Sequence, residues 1–324
     1  MVDSNYGIGL IRGLNQERTL NMRKTNVYLL CAVAIFGSLS FVNAQTPTLS
    51  VRLAGTFSYS TPPYVLSTVG GINDSGTIVG AIDNANLLSG YIRDRSGTFT
   101  APLVDPVANE LDTVPAAINN GSTVCGWYYT SDTGYHGFFY TNGTYTTYEP
   151  PEGSSAHVQG INDAGDFVGF YAATDGTTLG FIVTNGQFNQ IAVPGASSTL
   201  CFGINNLDQA VGVYVVGHGA NATVHGFMRA ADGTLTYPID YPGATNTDPA
   251  AINDAGLIVG FWTNKQGAHG FLLQLPGTFV NFDVPRSDGN GTEFAGINNR
   301  NSISGSFFGR DHVTHGLIAK VTMQ

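Results

Sequence analysis

Three residues stand out for the chemistry they could do together: His157, Asp248 and Glu293. An imidazole and two carboxylates gathered at one point could carry out acid–base catalysis or hold a cation. They are far apart in the chain but share an address. Each lies four residues before an Ile-Asn pair, and that pair occurs six times, ending at Asn73, Asn119, Asn162, Asn205, Asn253 and Asn298. The other copies carry Thr68, Val114 and Leu200 at the same place. One position earlier come Ser67, Thr113, Ala156, Thr199, Thr247 and Thr292, which adds Thr199, Thr247 and Thr292 as candidate ligand-binding hydroxyls. Glu110 and Asp112 join them from the longest loop leading to an Ile-Asn pair. If the copies are equivalent in space, these loops converge on one mouth of a central channel as a polar funnel. The bland alternative is a set of solvated loop groups.

The repeat must position these residues. Each Asn is followed seven residues later by glycine, from Asn73/Gly80 to Asn298/Gly305, and successive Ile residues are 46, 43, 43, 48 and 45 apart. That period suits a four-stranded propeller blade of about 40–45 residues. In the third copy the sequence predicts strands over 157–162, 166–171, 180–184 and 187–193. Asp163-Ala164-Gly165 and Asn185-Gly186 supply the turns. The Ile-Asn strand is expected to be innermost, with its Ile packed between blades. The six Asn read as six identical turns, hence as scaffold.

A second signature follows each Asn: Ser89-Gly90-Tyr91, His136-Gly137-Phe138, Leu179-Gly180-Phe181, His225-Gly226-Phe227, His269-Gly270-Phe271 and His315-Gly316-Leu317. Zinc needs ligands about 2.0–2.1 Å from one point, and equivalent positions on different blades radiate apart. These histidines are expected to bond structurally to the neighbouring blade. Trp127, Trp262, Tyr128 and Tyr171 are expected between blades, with sugar stacking the minority reading.

The last copy lacks a fourth strand, and Gly55-Thr56-Phe57-Ser58-Tyr59 resembles the fourth strand at Gly277–Phe282. The expected fold is therefore all-β: a six-bladed β-propeller of four-stranded blades, closed by the N-terminal strand completing the last blade. Closure also removes sheet edges.

The chain has 324 residues, 42 of them glycine, and 11% are charged. This favours a single β domain rich in turns. Residues 22–44 have a basic start at Arg23-Lys24, an apolar run of 16 residues from Val27 to Val42, and Ala44 at a cleavage-like site. The run is short of the roughly 20 residues needed to span a bilayer. Residues 1–21 are read as an upstream extension, 22–44 as a signal peptide and 45–324 as the propeller. Residues 45–324 carry 9 basic and 21 acidic groups, and no basic cluster, which argues against nucleic acid. Cys125 and Cys201 fall in the second and fourth copies, and are read as buried free thiols.

The motifs Ile-Asn-Asp-Ala-Gly-Asp-Phe-Val-Gly (161–169) and Ile-Asn-Asp-Ala-Gly-Leu-Ile-Val-Gly (252–260) resemble the HAF family of bacterial extracellular repeats. The resemblance covers about residues 50–320, with His-Gly-Phe where that family has His-Ala-Phe. It implies an exported, propeller-like protein and brings no catalytic residue.

The sequence contains no serine-nucleophile elbow, phosphate loop, HExxH helix or EF-hand loop. The expected protein is secreted or periplasmic, and monomeric. It has no metal, no cofactor and no stable membrane insertion after cleavage. It would bind a glycan or an extracellular protein. The alternatives are a secreted hydrolase or lyase with an acid–base site at the channel mouth, and a passive envelope protein.

Overall fold

The computed structural model describes residues 48–59, 61–84, 87–108, 112–285 and 291–323. The expected extension at 1–21, the signal peptide at 22–44 and the candidate Glu110 lie outside the described residues.

Strand β1 (Leu49–Phe57) precedes the first repeat, which supplies β2 (Val65–Ile72), β3 (Ile78–Asp83), β4 (Leu88–Arg93) and β5 (Phe99–Leu103). The second repeat supplies β6 (Thr113–Ile118), β7 (Val124–Thr130), β8 (Gly134–Thr141) and β9 (Thr144–Tyr148). The third supplies β10 (Ser154–Ile161), β11 (Phe167–Ala172), β12 (Thr178–Thr184) and β13 (Gln187–Ile191). The fourth supplies β14 (Ser198–Ile204), β15 (Ala210–Val216), β16 (Thr223–Arg229) and β17 (Leu235–Ile239). The fifth supplies β18 (Asn246–Ile252), β19 (Leu257–Asn264), β20 (Gly267–Gln274) and β21 (Thr278–Phe282). The sixth has β22 (Thr292–Ile297), β23 (Ser302–Phe308) and β24 (Thr314–Met323).

The result is an all-β propeller. Consecutive strands of a repeat pair antiparallel. Three repeats form separate four-stranded sheets, and β17 ends the fourth repeat by pairing with β16. The fourth and fifth repeats merge into one eight-stranded sheet through a single parallel bridge, Val224 to Asn246. The sixth repeat takes β1 as its fourth strand, paired from Leu49/Met323 to Phe57/Gly316 with a one-residue register shift between Leu53 and Gly55.

The glycines of the two signatures have separate steric reasons. A Cβ on Gly169 would collide with the carbonyl oxygen of His157, so the Val-Gly glycine lets the second strand close onto the inner one. A Cβ on Gly226 would collide with the Pro249 ring, so the His-Gly glycine opens a slot for the next repeat's inner strand. The core lies in these seams. Val168 and Ile182 of the third repeat pack with Cys201, Ile204 and Phe227 of the fourth; Leu257 and Val259 of the fifth pack with Phe294 and Ile297 of the sixth. Cys125 and Cys201 are buried and unpaired.

The six Ile residues pack into these seams and also rim the channel. Ile72, Ile118, Ile161, Ile204, Ile252 and Ile297 line a cavity on each side of themselves, and so form its waist.

Candidate ligand site at the channel mouth

The two ends of the channel differ in kind. At one end the asparagines form a closed hydrogen-bonded ring. Each side chain serves its own turn: Asn162 Oδ1 accepts from the backbone N–H of Ala164 at 3.0 Å and Asp166 at 2.9 Å. Its Nδ2 meanwhile donates to the carbonyl of the next repeat's asparagine. The donations run Asn73 to Asn119, Asn119 to Asn162, Asn162 to Asn205, Asn205 to Asn253, Asn253 to Asn298, and Asn298 back to Asn73. One residue on, Asp74, Asn120, Asp163, Asn206, Asp254 and Asn299 form a second ring in which carboxylate and amide alternate. Each accepts the preceding repeat's backbone N–H at 2.8–2.9 Å. Every carboxylate there has donors, so this end is scaffold.

At the other end the repeats stop agreeing. Pairing with the second strand reaches all three positions, as expected for His157 and where loops were expected for Asp248 and Glu293: His157 pairs with Phe170, Asp248 with Phe261 and Glu293 with Ser306. These candidates therefore sit on strands, and the ladder fixes their backbones. Asp248 and Glu293 lie at equivalent places on the inner strands of consecutive repeats, β18 and β22, and His157 at that place on β10.

The two sides of this mouth have opposite character. The second, third and fourth repeats present Val114 paired with Trp127, His157 with Phe170, and Leu200 with Val213. The His157 ring stacks on Phe170 at 4.5 Å and 14°, with Trp127 at 5.1 Å and Tyr135 at 4.8 Å. Burial pushes its pKa down to about 4, so His157 is neutral at pH 7. The fifth, sixth and first repeats present Asp248, Glu293 and Thr68. Burial first, and Glu293 second, push the Asp248 carboxyl up to about 7; burial likewise raises Glu293. Between mouth and Ile waist lies a cavity of about 80 Å³, with Gln159, Phe202, Ala250 and Ala295 in its wall. It has room for a few waters, so a larger ligand would rest on the mouth above it.

The threonine candidates are committed elsewhere. Thr199, Thr247 and Thr292 are each 1% exposed, and their hydroxyls accept from the backbone N–H of Val193, Tyr241 and Val284 at 2.9–3.0 Å. They pin the segment arriving from the preceding repeat. Asp112 accepts from the Leu88 N–H at 2.9 Å and performs the same service between the first two repeats. Sequence reasoning passed over Tyr135, Phe170, Phe202 and Gln159. A signal for Phe170 was present: the residue after each Val-Gly pair varies as freely as the funnel position, reading Ala81, Trp127, Phe170, Val213, Phe261 and Ser306.

The four signature histidines bond within their own sheets, and not to the neighbouring blade as expected. His136 donates to Glu149, His225 to Asp240 at 3.0 Å, and His269 to Asp283 at 2.8 Å. His315 meets Asp311 at 2.9 Å and Ser58 at 2.7 Å. Each ring also stacks on an aromatic of the second strand, from Trp262/His269 at 4.4 Å to Tyr214/His225 at 5.3 Å. For His136, His225 and His269 the partner is the carboxylate just past the fourth strand, and for His315 Ser58 takes that place, so each histidine ties strands two, three and four of one sheet. Among the described residues no three His, Cys, Asp or Glu side chains are arranged to hold a metal, and no helix is long and apolar enough to cross a membrane.

No protein-family model matches the chain, and no curated protein matches it significantly. Solved structures do. A mutant of AofleA from Arthrobotrys oligospora superposes with a TM-score of 0.52 at 11% identity, over 86% of this chain and 90% of that one. A gluconolactonase from Xanthomonas campestris gives 0.49 at 8% identity, over 86% and 94%. The β-propeller domain of the Trilobed protease from Pyrococcus furiosus gives 0.47 at 7%, over 82% and 95%. At these identities the similarity shows the propeller fold alone.

Proposed function

We propose that this protein is an exported binding module, a six-bladed propeller closed by β1, that takes a glycan on the mouth bearing His157, Asp248 and Glu293. The eight-stranded sheet is then two blades joined at one bridge. The observation that carries the reading is the aromatic wall of Trp127, Tyr135, His157 and Phe170, built at the strand position where the fifth and sixth repeats carry Asp248 and Glu293. Sugars present apolar ring faces that stack on aromatics and hydroxyls that hydrogen-bond to carboxyls. Export rests on residues 22–44, and membership of the HAF repeats on the Ile-Asn and His-Gly motifs. The molecule acts as a monomer.

A glycan array read with wild type and a His157→Ala/Asp248→Ala double mutant tests this. Binding that the double mutant loses, without turnover, is the expected result. A wild-type protein that binds no glycan on the array overturns it.

A second reading has its own observation. Burial first, and Glu293 second, push the Asp248 carboxyl up to about 7, the range in which a hydrolase or lyase uses one carboxyl of a pair as general acid. Turnover of a bound glycan, abolished by Asp248→Asn, would favour it.

A further inference from the structure

We propose that the cavity behind this mouth receives an acetamido group, so that among glycans the protein selects N-acetylated sugars; this rests on the glycan-binding reading above. The inner strands build the cavity. In every repeat the pairing of that strand with the second slips by one residue just before the Ile, as between Val158/Gly169 and Gly160/Val168. The first repeat has Gly70-Gly71 at the slip. In the others the residue left over is Ala116, Gln159, Phe202, Ala250 or Ala295, and each of these lines the cavity. A bulge takes its extra residue out of the ladder and re-aims the side chain, here into the channel.

Four copies keep this position small, and only Gln159 and Phe202, in consecutive repeats, depart from it. Phe202 joins the cavity to the aromatic wall: its ring lies 6.5 Å from Phe170, which stacks on His157. Gln159 stands two residues from His157 on β10. A sugar ring stacked on the wall therefore holds a substituent over the cavity. The lining selects that substituent. It contains no ionisable side chain, so an ammonium or a carboxylate would enter without a counter-ion. Its one polar side chain is the Gln159 amide, which has no hydrogen-bond partner among the described residues. That amide can donate to a carbonyl oxygen or accept from an N–H, while Phe202 and the alanines suit a methyl group. An acetamido group brings all three, and its few heavy atoms match a cavity of about 80 Å³. A hydroxymethyl group has no apolar end to offer.

Isothermal titration at pH 7 with tetramers of N-acetylglucosamine, glucosamine and glucose, and with an acetyl-lysine peptide, tests the proposal. Wild type is expected to bind the N-acetylated tetramer at least about tenfold tighter than the other two. Ala295→Leu fills the cavity, and Gln159→Leu keeps the side-chain bulk but removes the amide. In each variant that ratio is expected to fall below about threefold. Equal or tighter binding of either other tetramer to wild type overturns the proposal and leaves the glycan reading standing, as does a preference that survives either variant. Peptide binding that disappears in Ala295→Leu, with no tetramer bound, sinks the glycan reading and keeps the acetamido cavity. No binding of any probe overturns both. Thermal melts that match wild type certify the folds of the variants.

Discussion

Asn298 Nδ2 donates a 2.8 Å hydrogen bond to the carbonyl oxygen of Asn73, 225 residues earlier in the chain. It is the same bond that each other repeat makes to its successor, here returning from the last to the first. A periodic sequence could equally build an open solenoid, and this contact instead brings the last repeat back against the first.

Asn298→Ala is expected to destabilise the protein by about 2–4 kcal/mol, because the side chain also accepts from the N–H groups of Arg300 and Ser302 and its loss leaves the Ser302 N–H buried without that partner. Urea unfolding measures this. A loss below about 0.5 kcal/mol would show that the ring bond is dispensable.

Strand β1 has its own latch. Phe57 is 9% exposed, fits against Gly316, and lies 4.5 Å beneath the Arg93 guanidinium and 6.1 Å from Phe99. Phe57→Ala is expected to cost about 3–5 kcal/mol. It should also raise hydrogen exchange in β24, which loses its outer partner. Unchanged exchange there would contradict the latch.

The alternating ring should reject a fourth carboxylate. Asn120 Nδ2 donates to Asp74 at 3.1 Å and Asp163 at 2.9 Å. Asn120→Asp replaces both donations with like-charge contacts and is expected to cost about 1–3 kcal/mol. Part of the loss should return at 0.5 M salt, where screening is within about 4 Å. A salt-independent loss would point to packing instead.

Two groups at the mouth impose opposite pH slopes on stability. Asp248 titrates near 7 in the fold, above its ordinary 3.8. Between those values the folded state holds the extra proton, so this group's contribution is fully present below about pH 4 and lost as pH rises through 7. His157 titrates near 4 against 6.5, so the unfolded state holds the extra proton between them; its contribution is present above 6.5 and lost as pH falls through 4. Asp248→Asn should therefore leave stability little changed at pH 4 and raise it by at least about 1 kcal/mol at pH 8, relative to wild type. Thermal melts across pH 4–8 read the difference. A gap that does not widen with pH would place the carboxyl in solvent.

Cys125 and Cys201 should resist a thiol reagent until the protein unfolds. Burial pushes both thiols up to about 12, and no thiolate is available at neutral pH. Rapid labelling of the native protein would indicate local opening of a seam.

The sequence by itself carried whatever repeats. Seven-residue Asn-to-Gly spacing, small residues in the inner strand and the His-Gly pairs reflect steric demands met identically in every copy, so periodicity alone revealed the strands and the all-β class. It also marked His157, Asp248 and Glu293, because departure from a repeat is itself visible in the letters. What it could not carry was partnership across the ring. Thr199, Thr247 and Thr292 looked as available as Asp248, yet their side chains turn into a seam, where backbone N–H groups without other partners claim the hydroxyls. The histidines looked outward to a neighbour and instead hold their own sheet, because Glu149, Asp240 and Asp283 lie within bonding reach only once the fourth strand folds back. The aromatic wall around His157 draws Trp127 and Tyr135 from one repeat and Phe170 from the next. Local spacing determines which face of a strand a side chain occupies, but only closure of the ring decides what that face meets.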